Sequence, residues 1–175
     1  NYGLYRTDKT IKPVGEIVKK FNEFLSKFPY KKLPERIVDG VCILTGGQDS
    51  WKAAGSSFIL AKQAGLDIDF CYVADKIPES KAYFIPSLEC NDFPVDKLDM
   101  LMGKVRQGAI LYLSMGKYGM FRNLHSDFGF KLKNRQYIGY EKTVCIDGEK
   151  LPLYFDVQQN IDIQNAQVLA TDDEG

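Results

Sequence analysis

Apolar residues at Val14, Ile17, Val18, Phe21, Phe24, Leu25 and Phe28 recur at spacings of three and four. That period puts seven large side chains on one face of a helix. Pro13 suits its first turn, and Pro29 and Pro34 bracket its end and the linker that follows. So wide a face must dock on something, and the twelve residues before it offer no partner.

From Ile37 the pattern changes to strands alternating with helices. Val41–Leu44 is a short apolar run that predicts a buried strand. Thr45-Gly46-Gly47-Gln48-Asp49-Ser50 reads as a turn ending in N-cap chemistry, Trp51–Ala64 as a helix, and Gly65 as its C-cap. Ile68, Phe70 and Tyr72 alternate as a second strand, and Ala82–Ile85, closed by Pro86, as a third. Pro94 opens a helix with Val95, Leu98, Leu101, Met102 and Val105 on one face, ended by Gly108. Ala109–Met115 predicts a fully apolar fourth strand. The order predicts an α/β domain, flavodoxin-like or Rossmann-like, with three layers and a parallel sheet covered by helices.

Beyond residue 120 the pattern is looser. Phe121–Phe128 reads as a short helix. Tyr140–Ile146 and Leu151–Phe155 read as strands joined by the hairpin signal Asp147-Gly148. Ile161–Ile163 and Val168-Leu169 suggest further strands, and Thr171–Gly175 a turn after which another strand is expected. The expected division is a leading helix with its linker at 1–34, an α/β domain at 35–135 and a β-rich extension at 136–175.

Composition changes this picture little. The chain has 175 residues, 45% of them hydrophobic, enough for a core without a metal or disulfide staple. Lys plus Arg and Asp plus Glu number 23 each, so no net basic charge points to nucleic acid. No run approaches the roughly 18 apolar residues of a membrane span. The opening Asn1-Tyr2-Gly3, with no initiator Met, reads as an internal cut, so the compartment is open. Cys42, Cys71 and Cys145 lie in apolar runs and read as reduced packing residues.

Candidate chemistry is sparse. The Gly46-Gly47 loop joins a strand to a helix N-terminus, where a phosphate or nucleotide could bind, but it lacks GxGxxG and the Walker lysine. Asp49 places a negative charge there, and a plain capped turn is the simpler reading. Cys90, after the third strand, is a candidate nucleophile with His125 as base and Glu89 as third member. One histidine makes a zinc site improbable, and no residue is assigned to a cofactor or metal. Asp172, Asp173 and Glu174 read as a solvated turn. Tyr137, Tyr140, Tyr154 and Phe155 could line a sugar-stacking platform, against the commoner reading of strand packing.

Two segments carry a resemblance. Gly3-Leu4-Tyr5-Arg6-Thr7-Asp8-Lys9-Thr10-Ile11-Lys12-Pro13 resembles the end of a (β/α)8 barrel in clan A glycoside hydrolases, the cellulase, mannanase and β-galactosidase group, with Lys9 in place of the usual turn glycine. Val41–Trp51, Ser57–Ile68, Ile85–Leu88 and Gly108–Ser114 are similar in order to the α/β domain that follows the barrel in some of those enzymes. That domain resembles a class I amidotransferase without its catalytic residues. In β-galactosidase relatives it serves in trimer formation and can close over a neighbour's active site. The resemblance implies a C-terminal accessory module of a glycoside hydrolase, partnered by a barrel and open to association with copies of itself, meeting carbohydrate through the parent. It implies that the two catalytic glutamates lie upstream of Asn1, so no catalytic residue is assigned here. The alternatives are an amidotransferase-like enzyme using Cys90 and His125, and a phosphate or nucleotide binder at Gly46-Gly47.

Overall fold

The computed structural model describes residues 3–30, 32, 34–89, 92–119 and 124–172, with the backbone alone at Leu124, His125 and Ile138. The chain divides into two compact units, 1–36 and 37–175.

The first unit is a tight turn leading into helix α1 (Pro13–Ser26). The Arg6 N–H donates to Thr10 O at 2.8 Å and the Lys12 N–H to Leu4 O at 2.9 Å, closing a small antiparallel loop around the Tyr5–Ile11 bridge. Asp8 Oδ1 accepts from the Thr10 N–H at 2.9 Å and from its hydroxyl at 2.6 Å. These bonds hold the Asp8 carboxyl below its ordinary pKa. Lys9 sits at φ 66°, a left-handed conformation that glycine adopts more cheaply. Pro13 is in the first turn of α1, as its sequence position demands. The apolar face of the helix is exposed, Ile17 at 66%, and Phe21, Phe24, Phe28 and Tyr30 form a chain of ring contacts 5.5–6.4 Å apart.

The second unit holds a four-stranded parallel sheet in the order β2-β1-β3-β4, made of β1 (Gly40–Leu44), β2 (Ile68–Tyr72), β3 (Ala82–Leu88) and β4 (Ile110–Met115). Helix α2 (Ser50–Gln63) follows β1, and α3 (Val95–Arg106) follows β3. Every residue of β1 is buried. Val41, Ile43, Tyr83 and Ile85 turn to one side, where Leu98, Leu101 and Met102 of α3 join them. Cys42, Leu44 and Phe84 turn to the other, with Ala53, Ala54 and Ala61 of α2. The buried Tyr83 hydroxyl accepts from the Ser80 N–H at 2.9 Å and donates to Pro78 O at 3.2 Å, so it carries no unmet hydrogen bond.

Two expectations are corrected here. β3 does not stop at Ile85 but runs through Pro86 to Leu88 across an irregularity in its pairing with β4. Pro86 is accommodated because a bulge frees it from the ladder. β4 is apolar but not buried on both faces. It is the edge strand, and Ile110 and Tyr112 are 66% and 52% exposed, because nothing among the described residues covers them.

After the short α4 (Leu124–Phe128) comes a long antiparallel ribbon of β5 (Phe130–Ile146) and β6 (Glu149–Ile163), with β7 (Ala170–Asp172) pairing to the distal end of β5. Asp147 and Gly148 turn it with φ 50° and 84°, the two positive values of a type I′ hairpin. The strands are far longer than expected. Ile161–Ile163 belongs to β6, and Val168-Leu169 precedes β7 rather than forming a strand. Thr171 and Asp172 are strand residues rather than a turn. Two irregularities, at Leu132/Asn134 and Tyr137/Tyr140, each insert one extra residue in β5. A one-residue slip would turn each apolar set to the opposite face. With both in place, Phe130, Leu132, Tyr137, Tyr140, Val144 and Ile146 share a face with Leu151, Leu153, Phe155, Val157, Ile161 and Ile163.

Candidate functional site

Sheet order reverses between β1 and β3, since the chain leaves β1 toward β2 on one side and β3 toward β4 on the other. A crevice opens beyond the strand ends at such a switch point, and ligands of open α/β sheets bind there. Here a cavity of about 680 Å³ lies beside α2 and reaches the ends of β3 and β4. Its floor is Phe84 and Tyr112, whose rings are 6.2 Å apart and tilted by 46°. Small residues of α2, among them Ala53, Ser57 and Ala61, form one wall, and Ser87, Glu89 and Ser114 border the strand ends.

The loop at the end of β1 is closed on itself. Gln48 is buried, its Oε1 accepting from the Thr45 N–H and hydroxyl at 2.8 Å each, while its Nε2 donates to Pro86 O at 3.2 Å. Asp49 caps α2 by accepting from the Lys52 N–H at 3.1 Å. A side chain at Gly47 would collide with the Asp92 carboxylate, which lies against the glycine with one oxygen buried and without a hydrogen-bond partner. Gly46 and Gly47 thus sit beside two carboxylates, where a phosphate would meet repulsion.

Ser87 stands at the bulge of β3 with φ 48°, a left-handed conformation costly for any residue with a side chain. Its N–H donates to Ser114 Oγ on β4 at 2.8 Å, which holds it there. Glu89 accepts from the N–H groups of Lys117 and Tyr118 at 3.1 and 2.8 Å and so fixes the turn after β4. Its carboxylate packs against Gly116, where a Cβ would overlap it. That turn also holds the ribbon, because Arg135 donates to Gly119 O and Lys117 Nζ lies 5.4 Å from the Tyr137 ring centre.

Of the residues singled out from the sequence, Cys90 lies outside the described residues, and of His125 only the backbone, in α4, is described. Glu89 serves the β4 turn. The four aromatics of the supposed platform divide, because Tyr137, Tyr140 and Phe155 share a face and Tyr154 lies on the other. Asp172 is corrected from a solvated turn to the partner of Lys142, which is 5% exposed and reaches it at 2.7 Å. Asp173 and Glu174 lie outside the described residues. Burial raises the Cys42 thiol to about 11 and also raises Cys71, so both are protonated at neutral pH. Among the described residues no group of three or more His, Cys, Asp or Glu could hold a metal ion, and no helix is long and apolar enough to cross a membrane. Sequence reasoning missed Ser87 and Ser114. The only hint was a Pro-Ser pair at a strand end, since a positive φ at serine has no sequence signature.

No protein-family model matches the sequence, and no curated protein matches it. Its fold has solved counterparts. Exo-β-1,4-mannosidase Op5Man5 from Opitutaceae bacterium strain TAV5 superposes with a TM-score of 0.67 at 14% identity, over 99% of this chain and 33% of that one. A β-galactosidase from the psychrophilic Marinomonas ef1 matches with a TM-score of 0.61 at 13% identity, over 99% and 30%. A polyextremophilic β-galactosidase from the Antarctic haloarchaeon Halorubrum lacusprofundi matches with 0.69 at 13% identity, over 98% and 29%. The chain therefore spans about a third of the length of these structures and shares the fold of that third.

Proposed function

We propose that the chain is a C-terminal accessory module of a glycoside hydrolase whose catalytic barrel precedes it. The observation that carries this reading is the fold likeness. Nearly all of this chain aligns with less than a third, or about a third, of three enzymes whose names are those of glycosidases. The parent, on this reading, cleaves β-glycosidic bonds, and its acid/base and nucleophile lie on the barrel.

Three features support a supporting role for the module. The turn from Leu4 to Lys12 and the exposed apolar face of α1 suit the last turn and last helix of a barrel. The sheet order β2-β1-β3-β4, with α2 and α3 joining clusters on its two sides, supports a three-layer, flavodoxin-like domain related in architecture to amidotransferases. The exposed ribbon face and the uncovered side of β4 offer area for association with the barrel or with further copies of the chain.

Sequencing the coding DNA upstream of Asn1 tests the proposal. The expected result is roughly 250 residues of βα repeats, with glutamates at the ends of two strands. A start codon at or just before Asn1 would overturn it.

A further inference from the structure

We propose that the crevice beside α2 binds a neutral sugar, either a free monosaccharide or the end of a longer glycan. The inference rests on the glycosidase reading for its choice among hydroxylated ligands, but the site is argued from its own chemistry. The cavity of about 680 Å³ falls in the range of small-molecule sites. It runs along α2 over the sheet face, and its polar end, at Asp49, Ser87, Glu89 and Ser114, reaches the strand ends where open α/β sheets take their ligands.

Its lining selects a ligand by exclusion. The carboxylates of Asp49 and Glu89 border it and, among the described lining residues, Lys52 is the one cation, so a phosphate or carboxylate ligand would meet net repulsion. A wholly apolar ligand would strip water from the carboxylates of Asp49 and Glu89 and from the hydroxyls of Ser56 and Ser87, which is costly. A sugar satisfies both halves. Its hydroxyls donate to carboxylates and exchange hydrogen bonds with serines, and its C–H face lies on an aromatic ring. Tyr112 supplies that ring, half exposed on the floor of the cavity. Ser87 is held in a conformation that serine rarely adopts, with its N–H committed to Ser114. Such strain concentrates where a side chain must be aimed at a ligand.

Saturation-transfer NMR on the 175-residue chain tests the site, with galactose, lactose, β-1,4-mannobiose and inorganic phosphate each at about 10 mM. Transfer to at least one sugar and none to phosphate is expected. Tyr112→Ala should weaken binding at least about tenfold, and so should Ser56→Met, which fills the mouth from the exposed side of α2. Trp51→Ala, at an exposed residue outside the cavity, should leave binding unchanged. If Tyr112→Ala does not fold, Ser56→Met carries the test, with an unchanged thermal melt as its control. Binding of galactose alone would indicate a free sugar, and of mannobiose alone a glycan end. No transfer to any sugar, binding of phosphate, or binding that survives both cavity variants would overturn the proposal. Absence of sugar binding in a chain with an upstream barrel would overturn the crevice alone. Binding without such a barrel would overturn the module reading and leave the crevice standing.

Discussion

The parallel sheet and the β5–β6 ribbon use the same kinds of side chain and bury them to different depths. In the sheet, Ile43, Tyr83, Ile85 and Leu88 are completely buried, as is Leu101 of α3, because the central strands β1 and β3 are packed against helices. In the ribbon, Leu151, Leu153, Ile161 and Ile163 share one face and each stays more than 40% exposed. Two strands cannot cover their own apolar face, and a hairpin alone is marginal in water. The difference teaches that patterning sets which side of a strand is apolar, while burial depends on what lies against it. The two bulges of β5 keep the ribbon face continuous, a precision that matters most if that face is covered in the working protein.

The comparison can be broken by truncation. Leu101→Ala should cost about 3 to 4 kcal/mol in denaturant unfolding, since it opens a cavity in a closed core. Leu153→Ala, at a side chain already half in water, should cost less than about 1 kcal/mol. Equal costs would contradict the division.

A pH titration sharpens the sheet side. The folded pKa of Cys42 is raised to about 11 by burial, above its ordinary value of 9.0. Its contribution is then complete below pH 9 and is lost as pH rises toward 11. Relative to Cys42→Val, the wild type should lose about 2 kcal/mol of stability across that window. A difference that stays flat from pH 8 to 11 would show that the thiol is wet.

Among the described residues the ribbon holds a buried polar contact, Lys142 with Asp172. Asp172→Asn removes the charge facing a buried ammonium. It should destabilise the distal end of the ribbon by about 1 to 2 kcal/mol, less than for a fully buried pair because Asp172 keeps some exposure. Loss of amide protection confined to β7 and the end of β5 would bear this out, and an effect spread to the sheet would not.

Much of the sheet was legible in the sequence. Val41–Leu44, Ile68–Tyr72 and the helix opened by Pro94 announce themselves by local pattern, and the I′ turn by Asp147-Gly148. What was not legible depends on distant partners. The apolar run of β4 suggested two covered faces, but it is an edge strand, a property of topology rather than of its own residues. The ribbon was read as short separate strands, because single extra residues at Lys133 and near Gly139 disturb the alternation that signals a strand. The crevice depends on a serine at positive φ and on two strands ending side by side, neither visible in a linear pattern.

Native-state hydrogen exchange on the 175-residue chain tests the account most directly. The amides of Val41–Leu44 and Tyr83–Ile85 should exchange only on global unfolding, at least about a hundredfold more slowly than those of Glu141–Val144 and Leu151–Phe155. Equal protection of sheet and ribbon would contradict the claim that one half of this chain is closed on itself while the other awaits a cover.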